Sequence, residues 1–215
     1  MLAGVVHIEN KLMVTLVNYG LGNIQAFHNI YTRLCLQVEI ASSPEQLLRA
    51  DKIILPGVGA FDTAMTRLNN SGMREVLDEL VLNRKVPVLG ICVGMQMMAK
   101  KSEEGVLPGL GWLDAEVRKF DESVFTQKTH LPHMGWNDVV PIFDSPLFDG
   151  ISSPRFYFLH SYYFLPSHSS QTIATTEYGE TFTSAVGKGH IYGVQYHPEK
   201  SHIWGIQLLK NFASL

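Results

Sequence analysis

Residues 86–96 read VPVLGICVGMQ. The run from Val86 to Ile91 is apolar throughout, the pattern of a strand buried on both faces of a parallel sheet, and Val93 to Lys100 continue it as a helix. Cys92 therefore stands where a strand turns into a helix. A side chain at such a turn is pushed out at the carboxyl edge of the sheet, and Gly90 and Gly94 on either side remove the Cβ atoms that would clash there. The helix N-terminus also favours a thiolate through its dipole and free N–H groups. Read alone, the cysteine is better explained as a buried structural thiol, because free cysteine is among the most buried residue types.

Outward from this stretch the same alternation recurs. Met13 to Asn18 (MVTLVN), Gln37 to Ala41 and Lys52 to Leu55 (KIIL) read as strands, and Asn23 to Cys35, Phe61 to Asn69 and Met73 to Asn83 as the helices between them. Strands alternating with helices predict an α/β chain with a mostly parallel sheet flanked by helices. From Gly109 onward the runs shorten: Trp112 to Phe120, Arg155 to Leu159, Thr172 to Thr176, Ser184 to Gly187 and Ile191 to Gln195 predict a mixed or antiparallel β portion. A closing helix over His202 to Phe212 would place Ile203, Ile206, Leu209 and Phe212 on one face. In Phe156 to Phe164 (FYFLHSYYF) half of the aromatics are expected in the core, leaving others, with Tyr162 and Tyr163, to line an interface.

The segment His197-Pro198-Glu199 changes the reading of Cys92. It follows the apolar strand Ile191 to Gln195, so an imidazole and a carboxylate also emerge at a strand end. Cys–His catalysis needs a base for the thiol proton and a third group that orients the imidazole. Pro56-Gly57-Val58-Gly59 ends another strand and could aim backbone N–H groups at an oxyanion, with the amide after Cys92 as a second donor; in isolation it is a plain turn. Gly20-Leu21-Gly22 fails as a dinucleotide fingerprint because Gln25 stands where the third glycine is needed, and no GxxxxGK[ST] run exists. His130 and His133 are a weak metal hint, and Pro132 between them predicts an irregular loop instead of a zinc site.

Composition bounds the remainder. With 215 residues, 46% hydrophobic and 17% charged, the chain can bury a core, and no linker marks a seam, so one domain is expected. Seventeen basic against twenty acidic residues give a net charge of −3, which speaks against an electrostatic nucleic-acid binder. Two cysteines build no disulfide scaffold; Cys35, near a helix end, is expected as a structural thiol in a reducing compartment. No run approaches the ~18 apolar residues of a spanning helix. A cytoplasmic protein without membrane association follows, with residues 1–12 as an N-terminal extension, expected to be disordered, ahead of a 13–215 domain.

Taken together, these motifs resemble the class I glutamine amidotransferases, and within them the glutaminase subunits of imidazole glycerol phosphate synthase. The general part is PGVG at 56–59, GICVGMQ at 90–96 and YHPEKS at 196–201; the more specific part is NYGLGN at 18–23, PGVGAF at 56–61, SEEG at 102–105, PHMGWN at 132–137 and LHSYY at 159–163. Val93 departs from the more familiar Leu. The resemblance implies a three-layer, flavodoxin-like α/β fold with a smaller antiparallel β portion. It implies Cys92 as nucleophile, His197 as base and Glu199 as its orienting partner, with Gly57, Val58, Gly59 and Val93 forming the oxyanion hole. Gln96, His160, Ser161 and Tyr162 match glutamine-binding positions, and Trp136 and Lys200 match a partner interface.

The implied reaction hydrolyses L-glutamine to glutamate and ammonia through a cysteinyl thioester, with no cofactor and no metal. The implied partner is a (β/α)8-barrel cyclase subunit in a heterodimer of histidine biosynthesis, and a peptide rotation at Gly57-Val58 is the expected switch. The alternative is a paralogous glutaminase subunit feeding another barrel synthase, such as one that amidates a surface-sugar precursor. A binding module that has lost activity and a free-standing cysteine hydrolase are further readings; the three intact residue types at 92, 197 and 199 speak against the first.

Overall fold

The computed structural model describes residues 13–125 and 130–215, so the expectation for residues 1–12 lies outside the described part. The first half runs β1 (Val14–Val17), α1 (Ile24–Arg33), β2 (Val38–Ala41), α2 (Pro44–Leu47), β3 (Lys52–Gly57), α3 (Phe61–Asn70), α4 (Arg74–Asp78), β4 (Val88–Cys92) and α5 (Val93–Gln96). Every residue of β1, β3 and β4 is buried, which is why these strands are apolar apart from Thr15 and Lys52, where a half-exposed strand would alternate. Asn23 caps α1 by accepting the Ala26 N–H at 3.3 Å. Helix α2 was not foreseen, although its signals are in the sequence: Ser43 accepts the Gln46 N–H, Gln46 accepts the Ser42 N–H, and Pro44 opens the first turn.

The helix expected over Val93 to Lys100 stops at Gln96. Residues 109–113 fold back on its end and take the carbonyls a longer helix would have used: Leu110 N–H donates to Met97 O, Gly111 N–H to Ala99 O and Leu113 N–H to Met98 O. These bonds tie the end of α5 to the start of the second half.

That half runs β5 (Lys101–Ser102), β6 (Ala115–Lys119), β7 (His133–Asp138), β8 (Val140–Pro141), β9 (Arg155–His160), β10 (Tyr162–Pro166), β11 (Thr172–Tyr178), β12 (Glu180–Lys188), β13 (Ile191–Val194) and α6 (His202–Ser214). The main sheet has the order β2-β1-β3-β4-β13-β12-β11-β8 among the described residues. Pairings from β2 through β13 are parallel and those from β13 through β8 antiparallel. The last strand in sequence thus lies inside the sheet, with Val194 opposite Ile91 of β4. Two smaller sheets, β10-β6-β5 and β7-β9, complete the β portion. Strand β7 was missed because only His133 among its residues is buried, so no apolar period shows. The irregular loop expected at His133 is therefore the start of a strand.

Two further expectations need correction. In α6 the buried side is Gly205, Leu208, Leu209 and Phe212, whereas Ile203 and Ile206 are 71% and 40% exposed. Gly205 packs directly on the Pro198 carbonyl, which sets the rotation of the helix; a residue without a side chain carries no weight in an apolar stripe. Cys35 is exposed, at φ +55° just past the end of α1, and is not a core thiol. The aromatic stretch alternates as expected: Phe156, Phe158 and Phe164 are fully buried, and Tyr157, Tyr162 and Tyr163 partly so.

Candidate active site

Strands β3, β4 and β13 are neighbours, and their carboxyl ends bring together the three segments singled out in the sequence. Cys92 ends β4 at φ +55° and ψ −113°, backbone angles that a non-glycine residue adopts only where its surroundings force them. The surroundings are tight. Opposite Cys92 in register is Gly57 of β3, and Gly94 packs on the Leu55 carbonyl. The thiol is buried, with Leu159 O at 4.0 Å and the Gln195 side-chain amide donating to the sulfur at 3.7 Å.

His197 follows β13, its N–H donating to Tyr157 O at 2.9 Å. Its Nδ1 lies 2.9 Å from Glu199 Oε1, and both side chains are buried. The other carboxylate oxygen, Glu199 Oε2, has no hydrogen-bond partner among the described residues, so Glu199 spends its charge on His197. Burial works against protonation of the ring, but Cys92 and Glu199 outweigh it and raise the His197 pKa to about 10. The ring holds its proton through neutral pH, with Nδ1 committed to the carboxylate.

Cys92 and His197 open onto a cleft of about 400 Å³. Val58, Gly59, Val93, Gln96, His160, Ser161 and Tyr162 line it, as does Lys200. Of the oxyanion candidates only Gly57 stays behind the wall. Gln96 is held from inside, its Nε2 donating to Tyr162 O at 3.0 Å and to Gln195 Oε1 at 3.1 Å, while its own oxygen takes no hydrogen bond from the described residues. Trp136 lies outside the cleft, 37% exposed, its ring stacked on His202 at 5.2 Å. Lys200 reaches over the Tyr157 ring, and Met134 and Leu159, cross-strand partners on β7 and β9, are exposed nearby.

Sequence reasoning missed Glu104, Gln195 and the contact between His133 and His160. Glu104 lines the cleft and accepts the Phe61 N–H at 2.8 Å; burial raises its pKa from the ordinary carboxylate value. It lies in the SEEG segment, but its reach to the cleft depends on the packing of α3. Gln195 was visible as a polar residue at the end of an apolar strand. His133 Nδ1 and His160 Nε2 are 3.1 Å apart, and His160 Nδ1 is 2.8 Å from Tyr162 O. Burial lowers His133 to about 4, and burial together with the neighbouring His133 lowers His160 to about 3, so both rings are neutral. The metal hint at His130 and His133 gains nothing from this: among the described residues no three metal-binding side chains gather.

The sequence model of the family described as Glutamine amidotransferase class-I matches residues 15–214. A relative from Bdellovibrio bacteriovorus, named imidazole glycerol phosphate synthase subunit HisH, is 55% identical over 204 residues, covering 94% of this chain and all of that protein. Relatives of the same name from Leptospira interrogans, and of the name subunit HisH 2 from Pseudomonas aeruginosa, are 46% and 43% identical over the same shares. Among solved structures, PurLQS from Thermotoga maritima superposes with a TM-score of 0.70 at 14% identity, over 95% of this chain and 98% of that one. A glutamine amidotransferase from Thermotoga maritima does so at 0.62 and 18%, over 88% and 76%. These two likenesses speak for the fold alone. With the family match spanning nearly the whole described chain, and a 55% identical relative covered from end to end, the protein belongs to the class I glutamine amidotransferases.

Proposed function

We propose that the chain is the glutaminase subunit of an imidazole glycerol phosphate synthase, with residues 13–215 as one amidotransferase domain working in the cytoplasm. The observation that carries the chemistry is the meeting of Cys92 with the buried His197–Glu199 pair at the wall of one cleft. The full-length match to proteins of that name carries the pathway.

In this reading the Cys92 sulfur attacks the side-chain amide carbon of L-glutamine. As the S–C bond forms, the C=O π pair moves onto the oxygen, and backbone N–H groups of Val58 and Val93 stabilise the resulting oxyanion, a contribution of about 10²–10³ in rate per donor. As the tetrahedral species collapses, His197 gives its proton to the leaving nitrogen, and ammonia departs from a γ-glutamyl thioester. Water then attacks the thioester while His197 takes its proton, and glutamate leaves with the thiolate restored. Glu199 keeps the imidazole oriented throughout. Glu104 is the carboxylate available in the cleft wall for the α-ammonium of the substrate, and the free oxygen of Gln96 is a second acceptor; His160, Ser161 and Tyr162 close the pocket around the side chain.

Ammonia released into water at neutral pH is mostly protonated and no longer nucleophilic. Efficient use therefore requires an acceptor enzyme docked over the cleft. A (β/α)8-barrel cyclase subunit in a heterodimer is that partner, seated on the aromatic surface around Trp136 and on Lys200, and it returns imidazole glycerol phosphate and aminoimidazole carboxamide ribotide. The test is glutamine turnover by the chain alone, with the cyclase subunit, and with the cyclase subunit plus its nucleotide substrate. Stimulated turnover that Cys92→Ala abolishes supports the proposal, and turnover retained in that variant sinks it. The alternative is service to another barrel synthase, such as one amidating a surface-sugar precursor, since the acceptor site lies outside this chain. Ammonia transfer measured against both synthases separates the two.

A further inference from the structure

Strand β3 outruns its neighbour β1. Pairing between them stops at Leu16 opposite Ile54, while pairing with β4 continues to Gly57 opposite Cys92. Backbone polar groups of even-numbered residues in β3 point toward β1 and those of odd-numbered residues toward β4: Lys52 N–H donates to Met13 O, and Ile53 N–H to Pro87 O. Pro56 is therefore the first residue of β3 that points to the β1 side with no β1 residue opposite it. Proline has no N–H to leave unpaired there, but its carbonyl still needs a donor.

The Tyr19 hydroxyl is that donor, 2.6 Å from Pro56 O. The phenol is buried, and the same hydroxyl lies 3.6 Å from Met97 Sδ, just beyond α5. The loop that carries Tyr19 is pressed onto the same place, since a Cβ on Gly22 would stand 2.8 Å from Pro56 Cβ. On the opposite side a Cβ on Gly57 would stand 2.9 Å from the Val93 carbonyl carbon. Burial, reinforced by the charge at Cys92, pushes the phenol well above its ordinary range, so it remains a donor at any working pH. The peptide between Pro56 and Gly57 is thus fixed on both sides, and the next peptide, Gly57–Val58, is the one at the cleft.

We propose that Tyr19 is a positioning residue for the oxyanion strand: by holding the Pro56 carbonyl it fixes the peptide plane against which the Gly57–Val58 peptide turns its N–H toward the cleft. The inference rests on the glutaminase reading above and adds a residue to it. Tyr19 touches neither the substrate nor the reacting atoms; it acts through Pro56. A rotation of the Gly57–Val58 peptide then takes place against a fixed base, so that it moves one N–H and not the whole strand.

Tyr19→Phe keeps the ring and removes only the O–H. In the complex with the cyclase subunit and its nucleotide substrate, kcat for glutamine hydrolysis falls about tenfold while KM stays within about twofold, because the lining of the cleft is untouched. Alkylation of Cys92 by iodoacetamide, a displacement that forms no oxyanion, keeps its rate when followed on the Cys92 peptide by mass spectrometry. Gly22→Ala, which pushes on Pro56 from the same loop and leaves every hydroxyl in place, gives the same split. Full kcat in Tyr19→Phe overturns the proposal, and so does alkylation that slows in step with hydrolysis, since the hydroxyl would then act on the sulfur. No hydrolysis by the unsubstituted complex overturns the glutaminase reading and this proposal with it; an active complex insensitive to Tyr19→Phe overturns this proposal alone.

Discussion

Gly94→Ala tests how closely α5, the helix that follows Cys92, is set against β3. A Cβ at this position would stand 2.9 Å from the Leu55 carbonyl carbon, with the Leu55 oxygen closer still, and 3.2 Å from the Pro56 carbonyl carbon. Ordinary carbon–carbon contact begins near 3.5 Å, so α5 must retreat by at least 3.5 − 2.9, about 0.6 Å, and by more than ~1 Å to free the oxygen. Both partners are backbone, so no side-chain rotation relieves the clash. Overpacking of this kind costs about 1–3 kcal/mol, which in a chain of this size lowers Tm by about 3–10 °C. The same retreat moves Cys92 and the Val93 N–H relative to Val58. Misplacement on the order of 1 Å costs about 10²-fold in rate, so cyclase-stimulated kcat falls by about 30- to 100-fold. Thermal unfolding and steady-state hydrolysis of the one variant measure both effects. Gly189→Ala is the control: its Cβ meets nothing within 4 Å, and only the φ of +61° costs stability, with no change in kcat. If Gly94→Ala hydrolyses glutamine within twofold of the unsubstituted complex, the close approach of helix and strand does not set the reacting geometry.

Three further outcomes follow from the site. Glu199→Gln removes one of the two groups that hold the His197 pKa near 10, so the alkaline limb of kcat/KM moves to lower pH and kcat falls by about 10²–10⁴-fold; an unmoved limb would show that Cys92 alone sets the ring's proton affinity. Glu104→Gln raises KM for glutamine about tenfold with little change in kcat, and a fall in kcat at constant KM would place Glu104 outside substrate binding. His133 and His160 are neutral in the fold and titrate near 6.5 when unfolded, so the unfolded chain binds more protons below that pH. The stability they contribute is full above about pH 6.5 and is lost progressively as pH falls through about 4 for His133 and about 3 for His160, on the order of 3 and 5 kcal/mol respectively. His197 shifts the opposite way, and its contribution is level below pH 6.5. Urea unfolding between pH 7 and 4 should steepen accordingly, and a His133→Asn chain with the same pH slope would refute the assignment.

What the sequence displayed well were features whose cause is local. The apolar run into Cys92, the histidine and glutamate two residues apart, and the strand–helix alternation of the first half each lie within one short window, and each occurs where expected. What it concealed were features that depend on another segment. The length of α5 is set by residues 109–113 taking its carbonyls, and the rotation of α6 by Gly205 lying on Pro198. Strand β7 exists because β9 pairs with it, through residues that show no apolar alternation of their own. Glu104 reaches the cleft only through the packing of α3, and Gln195 meets Cys92 and Gln96 only through the pairing of β13 with β4. Alternation of buried and partly exposed aromatics in Phe156–Phe164, by contrast, was legible because a strand imposes it residue by residue.

The place of β13 inside the sheet bears on the order in which the molecule can be assembled. The strand that carries Cys92 is finished at residue 92, but the strand beside it, which leads to His197, begins at residue 191. A chain emerging from the ribosome therefore carries a formed thiol turn next to an empty lane for some hundred residues, with one edge of β4 unpaired. Closing that lane is a contact of long sequence separation, the kind that is slow to form. Until it closes, His197 and Glu199 do not stand beside Cys92, so on the proposed mechanism a growing or truncated chain releases no ammonia, and the open edge of β4 is where such a fragment would be captured by chaperones or pair with its own kind.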